Sequence, residues 1–206
     1  MRIRPASSTS PAHAKSRAAR ARALSKTGSG LPAPPKWLAT FKRPALADDA
    51  DAVALALRLA ERNIQEETGG PFGAVVYSLA RLEIVGVGVN VVESSGLSVM
   101  HAEIAALIDA QTREGGYDAL ANGFGLACSC QPCTMCLGAI HWARLQRLSY
   151  SATKADAEKI GFDEGPGDRA IVAGLRRRGV RVICGLHRER GRQVFEDYRR
   201  REGKIY

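Results

Sequence analysis

The sequence predicts a three-layer α/β/α domain around a mixed five-stranded sheet. Three observations carry that expectation. Val53, Leu57, Ala60 and Ile64 recur at helical spacing. Two strand-like runs, 73–79 and 83–89, follow with a short turn near Ala80-Arg81 between them, which is a hairpin pattern. From there to the end, strand-like and helix-like segments alternate, as in a sheet covered on both faces.

Residues 1–46 stand apart from this pattern. They hold ten Lys and Arg, no acid, and the breaker run Leu31-Pro32-Ala33-Pro34-Pro35, with few large apolar groups. The expectation is a disordered basic tail over 1–46 and a folded domain over 47–206, with Trp37, Leu38 and Phe41 available to pack on it. An Arg- and Ser-rich, acid-free start also fits an organellar transit peptide. Asp48-Asp49 suit a helix N-terminus, and Gly69-Gly70 stop that first helix. After the hairpin, a loop over 90–100 leads to His101, where Ile104, Ala105 and Ile108 mark a second helix. Then come a strand at 123–129, a helix at 133–143, a strand at 148–152 and a helical turn at 155–159. A helix at 170–178, a last strand at 180–184 and a last helix at 190–201 complete the pattern.

The chemistry sits in two stretches, His101-Ala102-Glu103 and Pro132-Cys133-Thr134-Met135-Cys136. One imidazole and two thiolates are three ligands of the kind zinc prefers, and a tetrahedral ion would keep a fourth position for water. Glu103 is placed to take a proton from such a water without ligating the ion. Cys133 and Cys136 are three apart, so on a helix that opens at Cys133 both sulfurs share one face and the positive N-terminal end, which favours thiolates. A redox pair, or an all-cysteine site with Cys128 and Cys130, would leave His101 and Glu103 unexplained. Together the two stretches favour catalytic zinc.

Composition sets bounds on partners. At 206 residues and 45% hydrophobic content the chain suits one well-buried domain. No run approaches the ~18 apolar residues of a membrane span. Four of five cysteines crowd into 128–136, unlike a disulfide framework, so a reducing, cytoplasmic setting is expected. The net charge is +9, yet once the ten basic residues of the tail are set aside, 20 basic residues face all 21 acidic ones. That near-neutral domain offers little general attraction to polyphosphate, and nucleic acid is expected to bind weakly at most, through the tail.

With these residues in view, the chain resembles the cytidine-deaminase-like superfamily, and within it the bacterial guanine deaminases, over roughly 48–206. The resemblance rests on Gly69-Gly70-Pro71-Phe72-Gly73-Ala74, Asn90, His101-Ala102-Glu103 and Ser129 through Arg144 (SCQPCTMCLGAIHWAR). Gly161-Phe162-Asp163-Glu164-Gly165 and the ending Gly203-Lys204-Ile205-Tyr206 point to the guanine branch. It implies zinc on His101, Cys133 and Cys136, with Glu103 as the proton shuttle. It also implies a base-binding set of Asn90 and Ala102, aromatic pocket residues Phe72 and Trp142, and Glu164 as an acid that holds or protonates the purine. Tyr206 matches a C-terminal aromatic that closes the pocket, in some members across a domain-swapped homodimer. His141 departs from the family pattern, and the long basic tail is not a family trait. The implied reaction is hydrolysis of the small purine base guanine to xanthine and ammonia. The alternatives are a transfer-RNA adenosine deaminase, or a deaminase of another amino-heterocycle such as cytosine or an aminotriazine. A non-catalytic zinc-stabilised module has no use for Glu103.

Overall fold

The computed structural model describes residues 30–167 and 169–206. The elements in order are α1 (Lys36–Ala39), α2 (Asp49–Gln65), β1 (Gly73–Ser78), β2 (Ile84–Val89), α3 (Val92–Ser95) and α4 (Ala102–Glu114). They continue with β3 (Phe124–Cys130), α5 (Thr134–Ala143), β4 (Arg147–Ala152), α6 (Lys154–Glu158), α7 (Arg169–Arg177), β5 (Arg181–Cys184) and α8 (Arg188–Arg200). The sheet order is β2-β1-β3-β4-β5. β1 is antiparallel to both β2 and β3, while β3, β4 and β5 run parallel.

This topology gathers the site. Because β1 alone is reversed, one edge of the sheet collects the start of β1 and the ends of the other four strands, and it faces the starts of α4 and α5. On one face, α2 lays Val53, Leu57, Ala60 and Ile64 against β1 and β3 and packs beside α8. On the other, α4, α5 and α7 bury Ala106, Leu107, Leu137, Ile140 and Leu175. Asp48 caps α2 by accepting from the Asp51 N–H. At the opposite sheet edge, the Tyr77 hydroxyl donates to Asp49, which Arg147 also holds at 3.2 Å. That clamp ties α2 to β1 and β4 away from the chemistry. The α4–β2 contact is unusually close, since a Cβ on Gly88 would overlap the Ala102 carbonyl and the Ala106 amide.

The predicted elements are present, and α1 and α3 are additional. Four residues are too few to write a 3.6-residue period, so neither had a periodic signal. One boundary changes. Trp37, Leu38 and Leu46 are buried in the core beneath α2, Arg43 pairs with Asp109 of α4 at 2.7 Å, and the Leu46 amide donates to the Leu82 carbonyl. The packed domain therefore takes in residues 36–46, which composition assigned to the tail; residues 1–29 lie outside the described residues. Two large apolar side chains outweigh a Pro-rich, acid-free neighbourhood when the groove they fill belongs to another part of the chain. No helix among the described residues is long and apolar enough to cross a membrane.

Candidate active site

His101 is the residue at which α4 begins and Cys133 the one at which α5 begins, both in extended backbone conformation, with Cys136 one turn into α5. The ligand atoms of His101, Cys133 and Cys136 all lie within 4.8 Å of one another. Cys133 Sγ is 3.5 Å from His101 Nδ1. The main-chain N–H of Cys136, in the first turn of α5, donates to the Cys133 sulfur, an environment suited to anionic sulfur. Cys128 and Cys130 stay on β3, buried, and burial pushes both thiols well up. Among the described residues the ligand atoms that gather are those of His101, Cys133 and Cys136, without Cys128 or Cys130, which speaks against the all-cysteine alternative.

The charges around the cluster call for a cation. A hydrogen bond from the Cys136 thiol and a smaller one from the His101 ring N–H draw the Cys133 thiol down to about 4 against the opposing cost of burial. Cys136 itself is pushed up by that same bond and by burial. Burial opposes ionisation of His101, but its bond to Cys133 and the field of Glu103 hold it above its ordinary value. Burial and the nearby sulfur push Glu103 upward, and burial with Glu103 and Cys133 pushes Glu164 up to about 8. Two thiols and two buried carboxyls thus crowd one point, with the His101 imidazole among them and Lys154 beside Glu164 as the neighbouring positive groups. A divalent ion there would ionise the thiols and reverse the penalty on the carboxylates, so the donor set and its surroundings fit zinc.

The base side of the site is built from loops. Asn90, at the end of β2, is 2% exposed; its Oδ1 accepts from the Val92 N–H at 3.1 Å. Among the described residues its amide N–H groups meet no protein acceptor. Ala102 is buried at the first position of α4. The half-buried Phe72 meets Phe162 edge-on at 4.9 Å and Phe195 at 5.6 Å. Tyr206 lies edge-on to Phe162 at 5.5 Å, and its hydroxyl occupies the space a Cβ on Gly70 would need, although 37% of the residue remains exposed.

Glu164, which the resemblance implies as the acid that holds or protonates the purine, is buried. It is 8% exposed, and its loop is fastened by four hydrogen bonds to three of its carbonyls. Lys154 Nζ donates to the carbonyls of Glu164, Gly165 and Pro166, and Thr134 Oγ1 donates to Pro166 at 2.9 Å. Trp142 is a correction. Expected as an aromatic pocket residue, it is 80% exposed. It sits at the far end of α5, and nine residues of helix carry it ~13 Å from Cys133. His141, beside it, meets Arg178 on the surface. Phe162, Lys154, Asn63 and Thr68 carried no separate signal; Phe162 alone was visible, inside the Gly161–Gly165 run.

Residues 46–152 match the cytidine and deoxycytidylate deaminase zinc-binding region, and the chain belongs to that family. Within it, the guanine deaminase of Bacillus subtilis is 39% identical over 109 residues, 53% of this chain and 67% of that protein. A structure of guanine deaminase from Nitrosomonas europaea is 32% identical with TM-score 0.77, covering 84% of this chain and 97% of that one. Structures holding 2,6-diaminopurine (35% identical, TM-score 0.76, 82% of this chain and 91% of the other) and 8-azaguanine are similarly close. The tRNA-specific adenosine deaminase of Streptococcus pyogenes is 37% identical over 98 residues, and the aligned part spans 58% of its length.

Proposed function

We propose that this chain is a zinc-dependent guanine deaminase that hydrolyses guanine to xanthine and ammonia. The observation that carries the reading is the juxtaposition of a His101, Cys133 and Cys136 cluster with two buried carboxyls, Glu103 and Glu164, beneath an aromatic cover formed by Phe72, Phe162 and Tyr206. Zinc, when held by those three ligands, supplies Lewis acidity and an acidified water.

The chain's own residues do the rest. Asn90 can both donate to and accept from the edge of the base, and Phe72 lines the pocket. The Glu103 carboxylate takes the proton of the attacking water, passes it to the ring nitrogen next to the amino-bearing carbon, and helps protonate the departing amine. Glu164, buried close to Glu103, shares the second transfer. Tyr206 and Phe162 exclude water, which strengthens each of these contacts.

The transfer-RNA reading is favoured by the named relative and opposed by the mouth of the pocket. A flipped nucleotide needs an exit for its sugar and phosphates, whereas Tyr206 lies over Gly70 at that mouth, and the domain outside 1–46 is near neutral. The thiol ligands suit a reducing, cytoplasmic compartment, and a homodimer belongs to the same reading. Ammonia release measured across guanine, guanosine, adenine, cytosine, an aminotriazine and a transfer-RNA anticodon stem is the test. Guanine should lead by at least about tenfold, the scale of a single well-made pocket contact; a lead by the anticodon stem overturns the assignment.

A further inference from the structure

Asn63 is a fully buried amide in the last turn of α2, and the site as described does not use it. Its Nδ2 donates to two carbonyls, Gly70 at 2.9 Å and Asn90 at 2.8 Å. Its Oδ1 accepts from Thr68 Oγ1 at 2.6 Å, and Thr68 Oγ1 in turn accepts from the indole Nε1–H of Trp37 at 3.0 Å. The donors run one way: indole to hydroxyl, hydroxyl to amide oxygen, amide to two main-chain carbonyls. Every hydrogen of the Asn63 amide is engaged, and its orientation is fixed by the network.

The chain ends where base recognition starts. The Asn90 main-chain carbonyl is seated against Gly69, where a Cβ would overlap it, and the Asn90 main-chain N–H donates to the Phe72 carbonyl at 3.1 Å. Fixing that peptide sets the direction from which the Asn90 side chain approaches the pocket. Trp37, at the other end, is pinned by burial and by Arg62, whose guanidinium stacks 4.8 Å from its ring. We propose that Trp37, Thr68 and Asn63 form a positioning relay that holds Asn90 for base reading, so that the segment preceding α2 takes part in substrate recognition. This rests on the guanine reading given above.

Thr68→Val removes the central hydroxyl while keeping the side-chain shape. The expected result is a fivefold to tenfold fall in kcat/KM for guanine, about the scale of one buried hydrogen bond. Most of that fall should lie in KM, with zinc content unchanged and Thr68→Ser restoring activity to within about twofold. Trp37→Phe, which keeps a ring over Arg62, should lower kcat/KM by about threefold. A merely structural turn would lower activity by the same factor whatever residue stands at 90. Thr68→Val is therefore repeated in an Asn90→Ala background at high enzyme concentration. If the relay acts through Asn90, the effect shrinks to below about twofold there. An equal loss in both backgrounds, or no rise in KM with Asn90 present, overturns the proposal. If the unaltered enzyme does not deaminate guanine, the functional reading fails separately. The same cycle is then read on the base it does deaminate or, for an inert panel, on affinity for 8-azaguanine.

Discussion

The metal-facing wall of the site comes from two helix starts, His101 ahead of α4 and Cys133 ahead of α5. Each is set in place by the apolar face of its own helix against the sheet. The purine-facing wall is collected from the 69–72 turn, the end of β2, the 161–167 loop and the C-terminus, and is fastened mainly by hydrogen bonds to main-chain carbonyls. In the proposed reading, rigid elements place the groups that carry out the hydrolysis and connecting segments place the groups that select the base. A perturbation should therefore fall on reaction or on recognition according to the wall it reaches.

The largest separation is expected at Glu103. Glu103→Gln should retain zinc and lose roughly 10³-fold in kcat with little change in KM, since in the proposed mechanism the carboxylate transfers protons and is not a ligand. Cys133→Ala should lose metal and turnover together. Metal analysis beside steady-state kinetics decides it, and a Glu103→Gln enzyme of normal rate would sink the mechanism.

Removal of residues 1–43 comes next. It strips Trp37 and Leu38 from the core and Arg43 from Asp109, and the loss of one buried large side chain alone costs about 3 kcal/mol. Calorimetry should show a melting temperature lowered by many degrees, whereas removal of 1–29 alone should leave it nearly in place. Equal stability of the two truncated proteins would restore the domain start at 47.

Smaller still is the effect of removing 203–206. The Tyr206 cover is lost, and guanine turnover should fall by about tenfold with zinc content held. Slight activity on guanosine is expected as the mouth opens. An unchanged kcat/KM on guanine removes Tyr206 from the site.

The smallest effect is a pH signature. Asp156 is buried, bonded to Arg188 at 3.0 Å and to the Thr153 N–H and hydroxyl, and despite the opposing cost of burial these bonds hold its carboxyl below the usual range. A depressed carboxyl stabilises the fold above its unfolded pKa and loses that contribution as pH falls through the folded value. Asp156→Asn should thus cost about 1–2 kcal/mol at pH 7, and the gap to the unaltered protein should begin to narrow below about pH 4 and close as the pH falls through the lower folded value. Because Asp156 caps α6, from which Lys154 reaches the Glu164 loop, the variant should also disturb the purine wall more than the metal wall. A gap that does not change with pH would assign the role to packing alone.

The same contrast explains what the sequence made legible. The metal wall is local: a ligand, a following apolar run and a second ligand three residues on are enough to read His101, Cys133, Cys136 and a nearby Glu103 without any tertiary knowledge. Asn90, Glu164 and Tyr206 each look ordinary in their own neighbourhood, a strand end, a glycine-flanked acid and a last residue. Resemblance alone singled them out. Trp142 shows the limit of that method, because a matching position on a helix does not say which cavity, if any, the side chain reaches. Asn63 and Thr68 were out of reach altogether. Nothing in a helix end followed by a threonine foretells that two carbonyls, one of them on a distant strand, will converge on a single amide.

Gly88 sets a gauge. With no Cβ on that strand residue, the main chain of α4 rests directly on the main chain of β2. His101 stands at the very start of that helix, so its height above the sheet, and hence its distance from the sulfurs of α5, is set by an atom that is missing. A methyl group at 88 would act as a shim beneath the helix and lift one ligand away from the other two without touching any of them. If His101, Cys133 and Cys136 hold zinc as proposed, metal affinity is adjustable from a buried strand position. A competitive zinc titration of Gly88→Ala against the unaltered protein would read the shim directly, as weaker binding in a folded chain whose three ligands are all still present.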